Sequence, residues 1–136
     1  MPRLIICQFD AKEAARIDLL WSRALKELRR DTAGLPRSAL LRALTRKGLD
    51  LTATDRKVKP DEILRDVTAV RFEYLLTDRD YDRLSERQDS WPTAAPPLAC
   101  FLRPLLRIAL QIAELQEDFA HEVLLARLAR RKEHNP

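Results

Sequence analysis

Few side chains in this sequence have a type and spacing that could carry covalent or metal chemistry. His121 and His134 are the only histidines, both on or beyond the last helix and without a plausible partner pattern for a metal or a general base. Cys7 and Cys100 are too few and too far apart for a disulfide framework or a metal knuckle. Cys7 falls on the apolar side of a short β-branched run and reads as a small buried hydrophobe. Cys100 is placed just before a helix, where a thiol pKa can fall, but no histidine is near it in sequence and it reads as inert. Asp78, Asp80 and Asp82 alternate as in a cation loop. Arg79, Tyr81 and Arg83 between them, and the absence of a glycine, make them an ordinary solvated helix start instead. The reading is therefore of a protein that is not an enzyme, with no catalytic residue, no metal and no cofactor.

What remains is charge and surface. The 136 residues carry 25 Lys and Arg against 21 Asp and Glu, a net charge of +4 that suits a polyanion without requiring one. With 46% hydrophobic and 34% charged residues the chain should fold rather than stay disordered. Only 2 glycines are present, which argues for helices and against all-β or glycine-loop nucleotide-binding folds. The apolar run near Leu4-Ile5-Ile6-Cys7 is too short for a signal peptide or a membrane span, so a cytoplasmic location and no membrane partner are expected.

The elements follow from periodicity. Residues 3–9 read as a strand. Asp10, with Glu13 three residues on, forms a capping box. Ala14, Ile17, Leu20, Trp21, Ala24, Leu25 and Leu28 then make one helical face, which breaks at Arg29–Gly34. Pro36 opens a second helix lined by Leu40, Leu41 and Leu44, and Gly48 reads as its left-handed C-cap, with Leu49 folding back. Residues 50–69 form a charged connector in which a short helix is expected at Pro60-Asp61-Glu62. Val70, Phe72, Tyr74 and Leu76 alternate as a second strand. Thr77 and Asp80 repeat the cap, Tyr81 and Leu84 begin a shorter helix, and Pro96-Pro97 lead into the last helical region.

This order repeats internally. Pro36, Leu41, Arg42, Leu44, Arg46 and Leu49 fall on Pro97, Leu102, Arg103, Leu105, Arg107 and Leu110, while Phe9, Arg16 and Ile17 fall on Leu76, Arg83 and Leu84. The two offsets differ by six residues, about the length of one loop. A strand with two helices cannot bury its own core, so the expectation is that the strands pair antiparallel and the helices cover their apolar side.

The run Leu4-Ile5-Ile6-Cys7-Gln8-Phe9-Asp10, with Leu35-Pro36-Arg37-Ser38-Ala39-Leu40-Leu41-Arg42-Ala43-Leu44 and their counterparts in residues 70–111, resembles the ribbon-helix-helix superfamily. It is most similar to the tandem accessory proteins of conjugative and T-DNA transfer. The fold class this implies is mainly α with a two-stranded antiparallel ribbon: a tandem ribbon-helix-helix pseudo-dimer plus an extended C-terminal helix. Its parts would be a first repeat (1–49), the connector (50–69), a second repeat (70–111) and a helical extension with a basic tail (112–136), all in one domain. The resemblance implies a DNA-binding accessory protein or transcriptional regulator tied to plasmid maintenance or conjugation, with double-stranded DNA as partner. It places Leu4, Ile6, Gln8, Arg71, Glu73 and Leu75 on the base-reading face of the ribbon, and Arg37 and Ser38 at a backbone phosphate. The second copy has Leu98 and Ala99 at the phosphate position.

Leu4, Ile6 and Leu75 offer no hydrogen-bonding atoms, and Glu73 repels phosphate, which leaves Gln8 and Arg71 as polar readers. Such a face also suits an adaptor that binds protein, antitoxin-like or part of a secretion complex. At the C-terminal end Pro104 replaces Ala43, so the helix there should start late or kink, and Ala109 replaces the stop at Gly48. Leu105, Ile108, Ile112, Leu115, Phe119, Val123, Leu124 and Leu128 then continue an apolar seam. It either folds back on the core or meets another chain, a protein partner or a second copy of this one. Arg127–Lys132 forms a basic end, read first as solvated and second as a contact for phosphate or an acidic partner.

Overall fold

Asp10 takes the Glu13 amide on its Oδ1 at 2.8 Å, and the first helix begins one residue after the first strand ends. Thr77 takes the Asp80 amide on its hydroxyl at 3.2 Å and starts a third helix in the same way. The computed structural model describes residues 3–28, 36–54, 58–65 and 68–134, without the side chains of 126 and 128–134. The expected break at Arg29–Gly34 and the basic side chains of Arg130–Lys132 lie outside the described residues. The elements are β1 (Arg3–Phe9), α1 (Ala11–Glu27), α2 (Arg37–Leu51), β2 (Val70–Leu76), α3 (Asp78–Asp89), α4 (Leu98–Leu115) and α5 (Phe119–His134). The molecule is mainly helical with one two-stranded antiparallel sheet.

Alternation decides which face of the sheet is inside. Ile5, Cys7 and Phe9 from β1 and Phe72, Tyr74 and Leu76 from β2 are buried under the helices, as the alternation predicts. The strands pair Arg3 with Leu76 through to Phe9 with Val70, so Ile6 faces Glu73 at the centre. Leu40, Leu41, Leu44 and Leu49 of α2 meet Leu102, Leu105, Leu106 and Leu110 of α4 in the core, with Ile17, Leu20 and Leu84 contributed by the first helices.

Contacts across the core come in related pairs. Arg46 of α2 donates from Nε to Asp80 of α3 at 3.0 Å, and Arg107 of α4 donates from Nε to Glu13 of α1 at 3.1 Å. Arg46 and Arg107 are residues that the internal sequence match lays over each other, and Glu13 and Asp80 each stand three residues past a capping side chain. Arg42 and Arg103 are both buried. Pro36 and Pro97 each precede a helix in extended conformation, and each carbonyl accepts from the amide three residues on. The ends of the long helices are closed by guanidinium groups from the opposite half. Arg23 donates to the carbonyls of Ala113, Glu114 and Gln116, and Arg87 to that of Leu49.

Several expectations are corrected. Gly48 is not a C-cap: α2 runs on to Leu51, with Thr52 as cap. The glycine instead lets α2 cross α4, since a Cβ there would stand 2.5 Å from the Leu105 carbonyl oxygen. The connector holds no helix over 58–65. Pro104 does not delay α4, because the helix starts at Leu98 and contains the proline. A proline has no amide to give the carbonyl four residues back, which is that of Cys100. The Asp61 amide donates to that carbonyl at 2.8 Å. The connector is thus docked where the helix ladder is open, and Arg107 binds the Asp61 carboxylate at 2.7 Å while Arg103 donates to the Glu62 carbonyl.

The apolar seam is also not one helix. It breaks at residues 116–118, and α5 turns back so that Phe119, Ala120 and Val123 are buried. Lys47 of α2 holds Glu122 at 3.0 Å. Of the two fates considered for the seam, the fold takes the first, although Leu115 remains 85% exposed. Cys100 lies inside α4 rather than before it. Asp80 is buried against Arg46 and Arg83, where a solvated helix start was expected.

Candidate nucleic-acid interface

The outward face of the ribbon gathers all six residues placed there from the sequence. Because a strand alternates and β1 and β2 pair in a fixed register, Leu4 stands beside Leu75, Ile6 beside Glu73 and Gln8 beside Arg71. Leu75 is half-buried and the other five are exposed, Leu4 and Ile6 at 56% and 40%. Arg71 and Glu73 are neighbours on that face and form an ion pair at 2.8 Å. With both partners about half exposed, the pair orients the guanidinium more than it stabilises the fold. The face therefore has a polar end, Gln8 and Arg71, and an apolar end, Leu4 and Leu75.

Arg37 and Ser38 sit in the first turn of α2, both half-buried. The guanidinium of Arg37 lies over the rings of Trp21 at 5.1 Å and Phe72 at 5.4 Å, with its Nε 3.0 Å from Asp18 Oδ1. Phe72 follows Arg71 in β2 with its ring on the buried face, so the start of α2 meets the ribbon from its helix side, one residue along from Arg71. The sequence places Trp21 only on the apolar face of the first helix and gives Asp18 no role. They are three residues apart on α1 and so share a helix face, which is the one signal that links them. Leu98 and Ala99 begin α4 and bring no polar side chain.

Arg3 is exposed at the apolar end but is turned to the helix side, over the Tyr81 ring at 4.8 Å and 3.9 Å from Asp78. Apart from the ribbon, a cleft of about 380 Å³ lies between the end of α2, α3 and the start of α4, lined by Arg83, Arg87, Trp91 and Phe101 among others. Both arginines are engaged, Arg83 with Asp50 at 2.8 Å and Arg87 with the Leu49 carbonyl at 3.2 Å.

No family model, curated protein or solved structure matches this chain. The geometry itself therefore carries the functional argument. Among the described residues no group of three or more His, Cys, Asp or Glu is placed to hold a metal ion. No helix among them is long and apolar enough to cross a membrane. Burial pushes the Cys7 thiol up to about 12, with Arg103 opposing the rise, so this thiol is not a nucleophile near neutral pH. The arrangement offers an exposed two-stranded ribbon, two polar side chains aimed outward and a helix start with an arginine beside them.

Proposed function

We propose that the protein binds duplex DNA by laying β1 and β2 in the major groove, as a ribbon-helix-helix pseudo-dimer with both copies in one chain. One observation supports the reading: the strand register, taken with the internal sequence match, is the one that two copies related as the subunits of a two-fold dimer would have. Ile6 and Glu73 occupy the same place in the two copies and face each other, so the strand register is symmetric about them. The exchanged pairs Arg46–Asp80 and Arg107–Glu13 obey the same symmetry. Two-fold pairing of this kind leaves a ribbon narrow enough for the major groove, with a helix start beside it to hold a phosphate. The net charge of +4 favours a polyanion. A role as an accessory factor or regulator in plasmid or conjugative DNA transfer follows from the resemblance alone.

The test is duplex binding at two salt concentrations. Affinity should fall by roughly 0.9 log units per log unit of salt for each phosphate neutralised. Arg37→Ala should weaken all sequences alike and reduce that slope by about one, whereas Gln8→Ala and Arg71→Ala should also relax sequence preference. Absence of binding to any duplex at low salt would overturn the proposal. The exposure of Leu4 and Ile6 favours a second reading, a protein-binding adaptor that uses the same face. Leu4→Glu would then abolish capture of a stoichiometric protein partner while DNA binding stays absent.

A further inference from the structure

The two-fold relation of the halves is not matched by the side chains they present. Leu4 and Arg71 hold the same place in the two copies, and so do Gln8 and Leu75, because Ile6 and Glu73 do. Antiparallel pairing puts Gln8 beside Arg71 and Leu4 beside Leu75. Both polar readers therefore collect at one end of the ribbon and both leucines at the other. A different register, or polar residues at matching places, would have spread one reader to each end.

A second feature has the same direction. The start of α2, with Arg37 and Ser38, meets the helix side of the ribbon at the buried ring of Phe72, one residue along β2 from Arg71. The matching start of α4 carries Leu98 and Ala99. Glu73, at the centre, holds Arg71 at 2.8 Å and fixes its guanidinium at the polar end.

Resting on the DNA-binding reading above, we infer that the ribbon binds its duplex in one orientation, on a site without two-fold symmetry. The half-site under Gln8 and Arg71 is read by hydrogen bonds. A glutamine side chain pairs with the N6 and N7 edge of adenine, and a guanidinium with O6 and N7 of guanine. The half-site under Leu4 and Leu75 has no donor or acceptor to meet, and its complement is the thymine methyl group. The favoured site is thus a purine-bearing half, gripped at its backbone by Arg37, joined to an A·T half recognised through methyl contact. The occupant is duplex DNA rather than protein because the polar end pairs cations with base-edge donors, and the chain carries net positive charge.

The experiment is a selection of bound duplexes from a random pool with the full chain, followed by the same selection with two variants. The wild type should yield a consensus that differs from its own reverse complement. Arg71→Ala should lose preference, by about ten-fold or more, in one half of the consensus only. Leu4→Arg combined with Leu75→Gln places at the apolar end the residues found at the polar end, and should select a palindromic site. Both substituted positions face solvent at least in part, and a thermal melt of the double variant confirms that it is folded. A palindromic consensus from the wild type would overturn the inference and leave DNA binding intact. A folded double variant that still selects the wild-type site would overturn it as well. Retention of no duplex at all would instead remove the DNA-binding reading on which the inference rests.

Discussion

Cys7 lies beneath the helices with 1% of its surface exposed, and burial raises its thiol to about 12 from the usual 9.0. In the unfolded chain the thiol loses its proton near the lower value, while in the folded chain it keeps it until the upper one. Across that window the unfolded state binds fewer protons, so the stability present below pH 9 is lost as pH rises toward 12. Burial also raises the phenol of Tyr74, whose hydroxyl lies 3.0 Å from that of Thr45, and this adds in the same direction at higher pH. The thermal midpoint should therefore stay level up to about pH 9 and fall steeply above it. Circular dichroism melts across the range check this, with Cys7→Ala showing a shallower alkaline fall from a lower starting midpoint. Labelling of Cys7 in the native protein at pH 8, as fast as in urea, would contradict the burial on which the sign depends.

At the level of elements the crossing of α2 and α4 is the tightest joint. In an isolated helix Gly→Ala stabilises by roughly 1 kcal/mol. At Gly48 the added Cβ would meet the Leu105 carbonyl oxygen at 2.5 Å and its carbon at 2.9 Å, both backbone atoms that cannot swing aside. Overpacking of that kind costs about 1–3 kcal/mol, so Gly48→Ala should lower the urea midpoint. A midpoint that rises would mean that the helices part without cost. The same glycine shows why some of the fold was legible and some was not. Strands and N-caps are written locally: alternation at residues 3–9 and 70–76, Asp10 with Glu13, Thr77 with Asp80. Lys47-Gly48-Leu49 has the local pattern of a helix end, and only the backbone of α4, far along the chain, gives it another use. The connector was misread for a related reason. Asp61 has the form of a helix start, but its amide meets a carbonyl left open by Pro104, and no local pattern joins those two residues. The outward set of the ribbon came with the family resemblance and agrees with the alternation of both strands. Its division into a polar and an apolar end needed the register, and Arg37 needed Asp18 and Trp21 from another helix.

For the whole molecule, the question is whether either half is a folding unit. Among the described residues β1 pairs with β2 alone, and the apolar sides of both strands are covered jointly. Arg46 finds its carboxylate in the other half, as does Arg107, and Arg23 closes the end of α4 from α1. Even the connector is anchored on α4, through Asp61. Each half alone would expose an apolar strand face and take Arg46 from Asp80 or Arg107 from Glu13, and a lone strand and two helices cannot offset the loss of chain entropy. Fragments 1–54 and 68–136 should each lack a cooperative melt at concentrations where they are monomeric. Mixed in equal amounts they should recover one transition, with a midpoint that rises with concentration because association and folding are then a single event. A fragment that folds only by pairing with its own copy would obey the same logic, since the register about Ile6 and Glu73 is one that two identical strands could adopt. A cooperative, concentration-independent melt by either fragment alone would mean that the halves are separate units, and the two-fold argument for the ribbon would lose its physical basis.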